Sequence, residues 1–245
     1  MRSGRRNAPS WDGLVPMLDG RCRPTWAFAW DYRLALGAPS SEACSQSNPG
    51  EIKMKDVDLQ TYCDRAVERG AHHAKEISPN SVVTAAWVRM KCQFGCPNYG
   101  RSFCCPPHTP TPEETRRIID CYHHAILFHF ESPKTPDRRK RMKEFLEMLI
   151  DLEGEIFKDG YYKAFVFLEG PCHYHTILRQ QDEITPCTEC AKIKGDSCRF
   201  GMKARPSMEG CGIDVYQTAR NNGFFIQPLR EETETQNLYC LMLVD

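Results

Sequence analysis

His124-Ala-Ile-Leu-Phe-His-Phe130 is a short, almost unbroken run of apolar and aromatic residues, and it reads as a buried β-strand. Beyond it, Met142, Phe145, Leu146, Leu149, Leu152 and Ile156 recur at helical spacing, which predicts one long helix over about 137–158. Residues 161–168 read as the next strand. Upstream, the pattern suits a helix over 58–77 and a strand over 81–88. Thr111-Pro112-Glu113-Glu114 is a helix start: Thr as N-cap, Pro in the first turn, acids at the positive end of the dipole. Downstream, a helix is expected over about 213–221, closed by Gly223, with strands at 224–226 and 238–244. This alternation predicts an α/β fold, with α+β as its variant: a mixed sheet, flanking helices and two cysteine-rich loops leaving strand ends.

The chain has 245 residues, enough for one large or two small domains with a real core. Residues 1–53 carry scattered Arg, Pro, Gly and Ser without a sustained period, and read as a poorly structured extension. Met54 offers an alternative start, and 54–245 is expected to form a single domain. Lys plus Arg and Asp plus Glu both number 32, which gives no global electrostatic reason to bind nucleic acid or an anionic membrane. No apolar run approaches the ~20 residues of a membrane span, and no export signal is evident, so a cytoplasmic protein is expected. In that reducing compartment, 14 cysteines point to metal ligands and buried thiols before disulfides. Cys63, Cys121 and Cys240 read as small buried hydrophobes, and Cys22 and Cys44 as incidental tail residues.

Eight of the cysteines fall into two Gly/Pro-rich stretches. The first is Cys92-x3-Cys96-x7-Cys104-Cys105, and the second is Cys172-x14-Cys187-x2-Cys190-x7-Cys198. Thiolates are soft ligands suited to zinc or iron–sulfur clusters, and such loops can wrap several around one centre. Adjacent residues of an extended chain point in opposite directions, so Cys104 and Cys105 either serve two centres or one of them packs. A single CxxC pair, irregular spacing, and Pro after Cys96 and Cys105 tilt the reading from zinc to iron–sulfur.

Other candidates carry plainer explanations. His173 and His175 flank Tyr174 beside Cys172, where surface or supporting roles are commoner than ligation. Arg205, Glu209 and Gly212 form a candidate cofactor-binding segment, in which Arg205 either pairs with Glu209 or faces a ligand. A helix starting at Ile213 would aim its amides at an anion there. The basic run Arg138-Arg-Lys-Arg-Met-Lys143 reads as a solvated face.

Taken together, Cys92-x3-Cys96-Pro-Asn-Tyr-Gly-Arg-Ser-x-Cys-Cys105-Pro-Pro, Thr111-Pro-Glu-Glu114, Gly170-Pro-Cys172, the Cys187–Cys198 run and Arg205-Pro-Ser-Met-Glu-x-x-Gly-Ile-Asp-Val215 resemble the family of predicted metal-binding proteins known as domain of unknown function 2284. The resemblance spans about 56–230. It implies metal binding through Cys92, Cys96, Cys105, Cys187, Cys190 and Cys198, with Cys104 and Cys172 joining them. The family's second cysteine group is more compact than the Cys172-x14-Cys187 spacing here, which sets Cys172 apart. The function expected is a protein carrying one or two [4Fe-4S] clusters that transfers electrons to a redox partner protein. A zinc-stapled interaction module and an enzyme using an open cluster iron are the alternatives.

Overall fold

The structure is a computed structural model and describes residues 58–176 and 187–245. The expected extension over 1–53, with Cys22 and Cys44, lies outside the described residues. Five longer helices and one short one surround four strands: α1 (Gln60–Glu68), β1 (His73–Ile77), α2 (Ala86–Gly95), α3 (Pro112–Ile119), β2 (His124–Ser132), α4 (Arg138–Lys158), β3 (Phe165–Phe167), α5 (His173–Thr176), α6 (Val215–Asn221) and β4 (Gln236–Val244). The strand order is β1-β2-β4-β3, so the last strand of the chain sits inside the sheet.

The β2–β4 pair is the frame of the molecule. Nine residues of β2 lie opposite nine of β4, from His124 against Val244 to Ser132 against Gln236. Side chains alternate along both strands. Ile126, Phe128 and Phe130 join Leu238, Cys240 and Met242 on one face, under α1 and α4. Ala125 and Leu127 join Tyr239, Leu241 and Leu243 on the other, with Ile119 of α3 and Val215 and Ala219 of α6. Both faces are therefore covered, which is why these strands read as continuous apolar runs.

The expected combination of helices and sheet is present, in its α+β form. The ladders between named strands are all antiparallel, so the sheet is not mixed in direction, although one isolated parallel bridge joins Leu168 and Ser207. Continuous apolar strands usually signal a parallel sheet under helices. Here an antiparallel sheet reaches the same burial, and the sequence pattern is the same for both.

Four expected elements change. The helix predicted over 58–77 stops at Glu68, because Gly70 turns the chain at φ 116°, and 73–77 becomes edge strand β1. The strand predicted over 81–88 shrinks to a Thr84–Ile213 bridge before α2 begins at Ala86. The strand predicted over 161–168 is only β3, and 224–226 is irregular. By contrast, α3 carries the full capping box: the Thr111 hydroxyl accepts from the Glu114 N–H, and the Glu114 carboxylate accepts from the Thr111 N–H. Cys63 and Cys240 are buried as expected, whereas Cys121 is half-exposed just past the end of α3.

Two contacts hold the segment after the second cysteine loop. The buried Glu153 of α4 accepts from Arg205 at 2.5–3.1 Å and from the Val166 N–H of β3 at 2.8 Å. Gly212, at φ 79°, lies against Pro112: a Cβ there would stand 2.5 Å from the proline Cγ. A left-handed non-glycine residue costs about 1–2 kcal/mol, and overpacking about 1–3. Gly212→Ala should therefore lower the unfolding free energy by about 2–4 kcal/mol in urea titrations.

His129 on β2 is buried among His73, Tyr239 and Phe224. Its Nε2 meets Asn237 Oδ1 at 2.8 Å, and its Nδ1 lies 3.0 Å from Nδ1 of His73, so one proton serves both rings. Burial, and then the nearby His73 and His72, push the His129 pKa below its usual 6.5. The unfolded chain thus binds a proton that the native state resists, and the stability this protects is present above pH 6.5 and lost as pH falls below it. His129→Gln should be less stable than the parent at pH 7.5, and the gap should narrow by pH 5 in thermal melts.

Candidate metal centre

The last turn of α2 supplies the first two thiols. Val88 faces the core, and Cys92 and Cys96 follow at four-residue steps on the same face. The Cys96 N–H closes the helix onto the Cys92 carbonyl at 3.3 Å, and Pro97 prevents continuation. The loop then folds back on itself, with the N–H of Gly100 (φ 70°) donating to the Pro106 carbonyl at 2.8 Å. Its far side is pinned to the one-turn helix Glu209–Cys211. Thr109 Oγ1 donates to the Gly210 carbonyl at 2.6 Å and Thr115 Oγ1 to that of Cys211 at 2.7 Å, both buried.

Cys104 and Cys105 take different surroundings, as neighbours on an extended chain do. The buried Cys105 thiol lies near Cys96 and Cys172, and the Ser102 hydroxyl and the Cys172 N–H favour its anion. Cys92 lies near Cys96, Cys105 and Glu209. Cys104 instead packs with Cys187 and Phe200 against Cys172 and Tyr174. Tyr174 stacks on Phe200 with centroids 4.0 Å apart, and its carbonyl accepts the Cys187 N–H at 3.1 Å.

The second loop meets the first directly. Buried Cys190 accepts the Phe103 N–H on its sulfur at 3.3 Å. A one-turn helix, Ala191–Lys194, follows and ends at Gly195 with φ 86°. Cys198 lies in the next turn, its carbonyl accepting from Gly201 at 3.1 Å. Each cysteine stretch therefore aims a backbone N–H at a sulfur of the other, Phe103 at Cys190 and Cys172 at Cys105.

Burial raises the thiol pKa values of Cys92 and Cys105, with neighbouring thiols adding to it, and pushes buried Cys211 up to about 12. All eight candidate cysteines are free thiols. Among the described residues, no three Cys, His, Asp or Glu side chains close on one point as a single ion would need. As a donor set, soft free thiols with amides directed at sulfur fit a thiolate-ligated metal group. Two orphans lie beside them: among the described residues, Nε2 of buried His173 and the buried Tyr174 hydroxyl have no hydrogen-bond partner. Burial lowers the His173 pKa to about 4 and keeps the ring neutral.

Cys92 and Cys96 also line a cleft with a volume of ≈ 760 Å³ between α2, α6 and the start of β4. Three acids line it: Asp214, whose carboxylate is engaged at the start of α6, and Glu169 and Glu209. Burial, and then the charge of Glu209, raise the Glu169 pKa to about 7. Burial likewise raises that of Glu209, whose Oε2 is buried without a hydrogen-bond partner.

The candidate cofactor segment divides. Arg205 pairs with Glu153 and not with Glu209, because Glu153 lies on the helix packed beneath it. Gly212 is fixed by its fit to Pro112, and only Glu209 reaches the cleft. The helix expected from Ile213 begins at Val215, where Asp214 itself caps the Gln217 N–H at 2.9 Å, so its amides do not await an anion. In the basic run, Arg138 bonds Ser132 and Gln236 and Arg141 covers the Phe130 ring, so part of that run is structural. Glu169 carries no signal of its own in the sequence, and the strand expected over 81–88 hides Trp87, which lies on α2. The four-residue steps from Val88 to Cys96 were the available signal.

No helix among the described residues is long and apolar enough to cross a membrane. No curated protein and no solved structure matches the chain. The family model described as predicted metal-binding protein (DUF2284) matches residues 75–244, a span that takes in both cysteine loops, the sheet and the cleft. The chain belongs to that family of predicted metal-binding proteins.

Proposed function

We propose that this protein holds two [4Fe-4S] clusters in its interlocked cysteine loops and passes electrons to a redox partner. The observation that carries the reading is the exchange of N–H···S contacts between loops, with the Phe103 amide 3.3 Å from Cys190 Sγ and the Cys172 amide on Cys105. Hydrogen bonds to ligand sulfur are among the features by which proteins set cluster potentials. We sort the thiols into two sets. Cys92, Cys96, Cys105 and Cys172 form the first. Cys104 and Cys187, which both pack against Cys172 and Tyr174, make the second with Cys190 and Cys198.

Bound clusters would supply one-electron redox chemistry at low-dielectric sites. The chain's own residues do the rest. Tyr174 and Phe200 shield the second set from water by stacking. Cys105, Cys172 and Cys190 are each only 7–8 % exposed, which limits solvent at the sulfurs. Met90 and Phe94 stand 60 % and 78 % exposed on α2 beside Cys96, an apolar surface suited to a partner protein. Four thiolates per cluster leave no open iron, which favours electron transfer over Lewis-acid chemistry.

Purified without oxygen, the protein should be brown, absorb broadly near ~400 nm, and contain about eight irons and eight sulfides per chain. Colourless protein with stoichiometric zinc would end this reading. The assignment of the adjacent pair has its own test. Cys104→Ala and Cys190→Ala should each lose about four irons, and their double variant no more than that. Cys105→Ala combined with Cys104→Ala should instead lose nearly all iron.

A further inference from the structure

The cleft over Cys92 and Cys96 is built to take a ligand, and its chemistry is specific. Its volume, ≈ 760 Å³, lies within the range of small-molecule sites. Aromatic side chains stand on two of its sides, Trp87 on α2 and Tyr216 on α6, both partly exposed. Two cations, Lys91 and Arg220, also line the cleft, and each has a contact of its own. Lys91 lies over the Trp87 ring, Arg220 lies over Tyr216 and donates to the Ile226 carbonyl at 3.2 Å, and Arg205 is held by Glu153. Inside, Glu169 and Glu209 both line the cleft, and the charge of Glu209 is felt by Glu169. Glu209 Oε2, buried and without a hydrogen-bond partner, is an acceptor awaiting a donor.

We propose that this cleft binds a small planar organic molecule through an amidine-like or amine group, whose N–H donors meet Glu209 and Glu169 while its ring lies between Trp87 and Tyr216. The ligand would then sit beside Cys92 and Cys96, within reach of the first cluster. That placement rests on the reading given under Proposed function, whereas the binding itself does not. A cationic or N–H-rich group satisfies the orphaned oxygen and relieves the repulsion between two neighbouring carboxylates. An anion of the same shape would bring further negative charge against these acids.

Benzamidine, a flat ring with an amidinium, is the probe, and benzoate is its anionic counterpart of matching shape. Ligand-observed NMR and thermal shift on the anaerobically purified chain should show benzamidine binding at about millimolar affinity, as for a fragment. Benzoate should bind at least tenfold more weakly. Glu209→Gln and Glu169→Gln should each weaken benzamidine severalfold, and Tyr216→Ala, on the exposed wall, should do so without touching either acid. Absence of benzamidine binding, equal binding of benzoate, or unchanged binding to the Glu169→Gln/Glu209→Gln double variant would each overturn the proposal. Iron and sulfide counts on the same samples report separately on the clusters. A full iron count without benzamidine binding sinks the cleft alone, and benzamidine binding to iron-free zinc protein sinks the clusters alone.

Discussion

The close approach of Pro112 to Gly212 is the contact on which the site's arrangement depends. It sets the start of α3 against the turn that leads into α6, at a separation no side chain could tolerate. Around it, Thr109 and Thr115 reach buried carbonyls of Gly210 and Cys211, so the chain on either side of Pro112 is pinned to the same short turn. The first cysteine loop thus stands at a fixed place relative to Glu209. The Ala85 N–H, at 2.8 Å from the Gly212 carbonyl, brings the start of α2 to the same point. One glycine therefore aligns α2, α3, the Glu209 turn and α6, which between them provide much of the cleft and two of the candidate thiols.

Beneath this assembly lies the β2–β4 pair, and here the sequence was informative in proportion to how local its signals are. The capping box at Thr111, the helical recurrence from Met142 to Ile156 and the apolar run at His124 each place their information within a few residues, and each element formed where expected. Val82, Val83 and Thr84 favour an extended chain on β-branching alone. They are extended, but only for a single bridge, after which Ala85-Ala86 lets the chain enter α2. Strand direction was illegible for a different reason. Burial on both faces erases the alternation that would mark an antiparallel strand, and the choice is then made by pairing partners more than a hundred residues apart in sequence.

The same distinction governs the candidate centre. That eight thiols belong to two loops was plain from spacing, but their grouping was not. Cys104 and Cys105 are adjacent in the chain and diverge in space, and Cys105 meets Cys172 only because β3 delivers the second loop beside the first. Arg205 illustrates the error that proximity in sequence invites. Glu209 is four residues away, yet the guanidinium joins Glu153, on a helix that also receives the Val166 amide. Glu169 had no signal of its own: a lone acid after a strand is ordinary until Glu209 is folded against it.

Charge supplies the last step. The chain as a whole is neutral, with 32 basic and 32 acidic residues, but several groups that can ionise to anions gather beside α2. Cys92, Cys96, Cys105, Glu169 and Glu209 are all groups whose ionised form is negative, and Arg89 is the cation that eases the ionised forms of Cys92 and Cys211. Burying several potential anions together without countercharge is costly, and a protein ordinarily avoids it by pairing them with cations or metals. On the reading proposed above, a bound metal group would take up the charge on the thiol side of this region. The carboxylate side, in the same cleft, holds an unpartnered acceptor in Glu209 Oε2, which suits a proton-bearing ligand of its own. Two neighbouring sites of one sign, separated by softness of donor, follow from that division: sulfur for the metal, oxygen for the organic N–H.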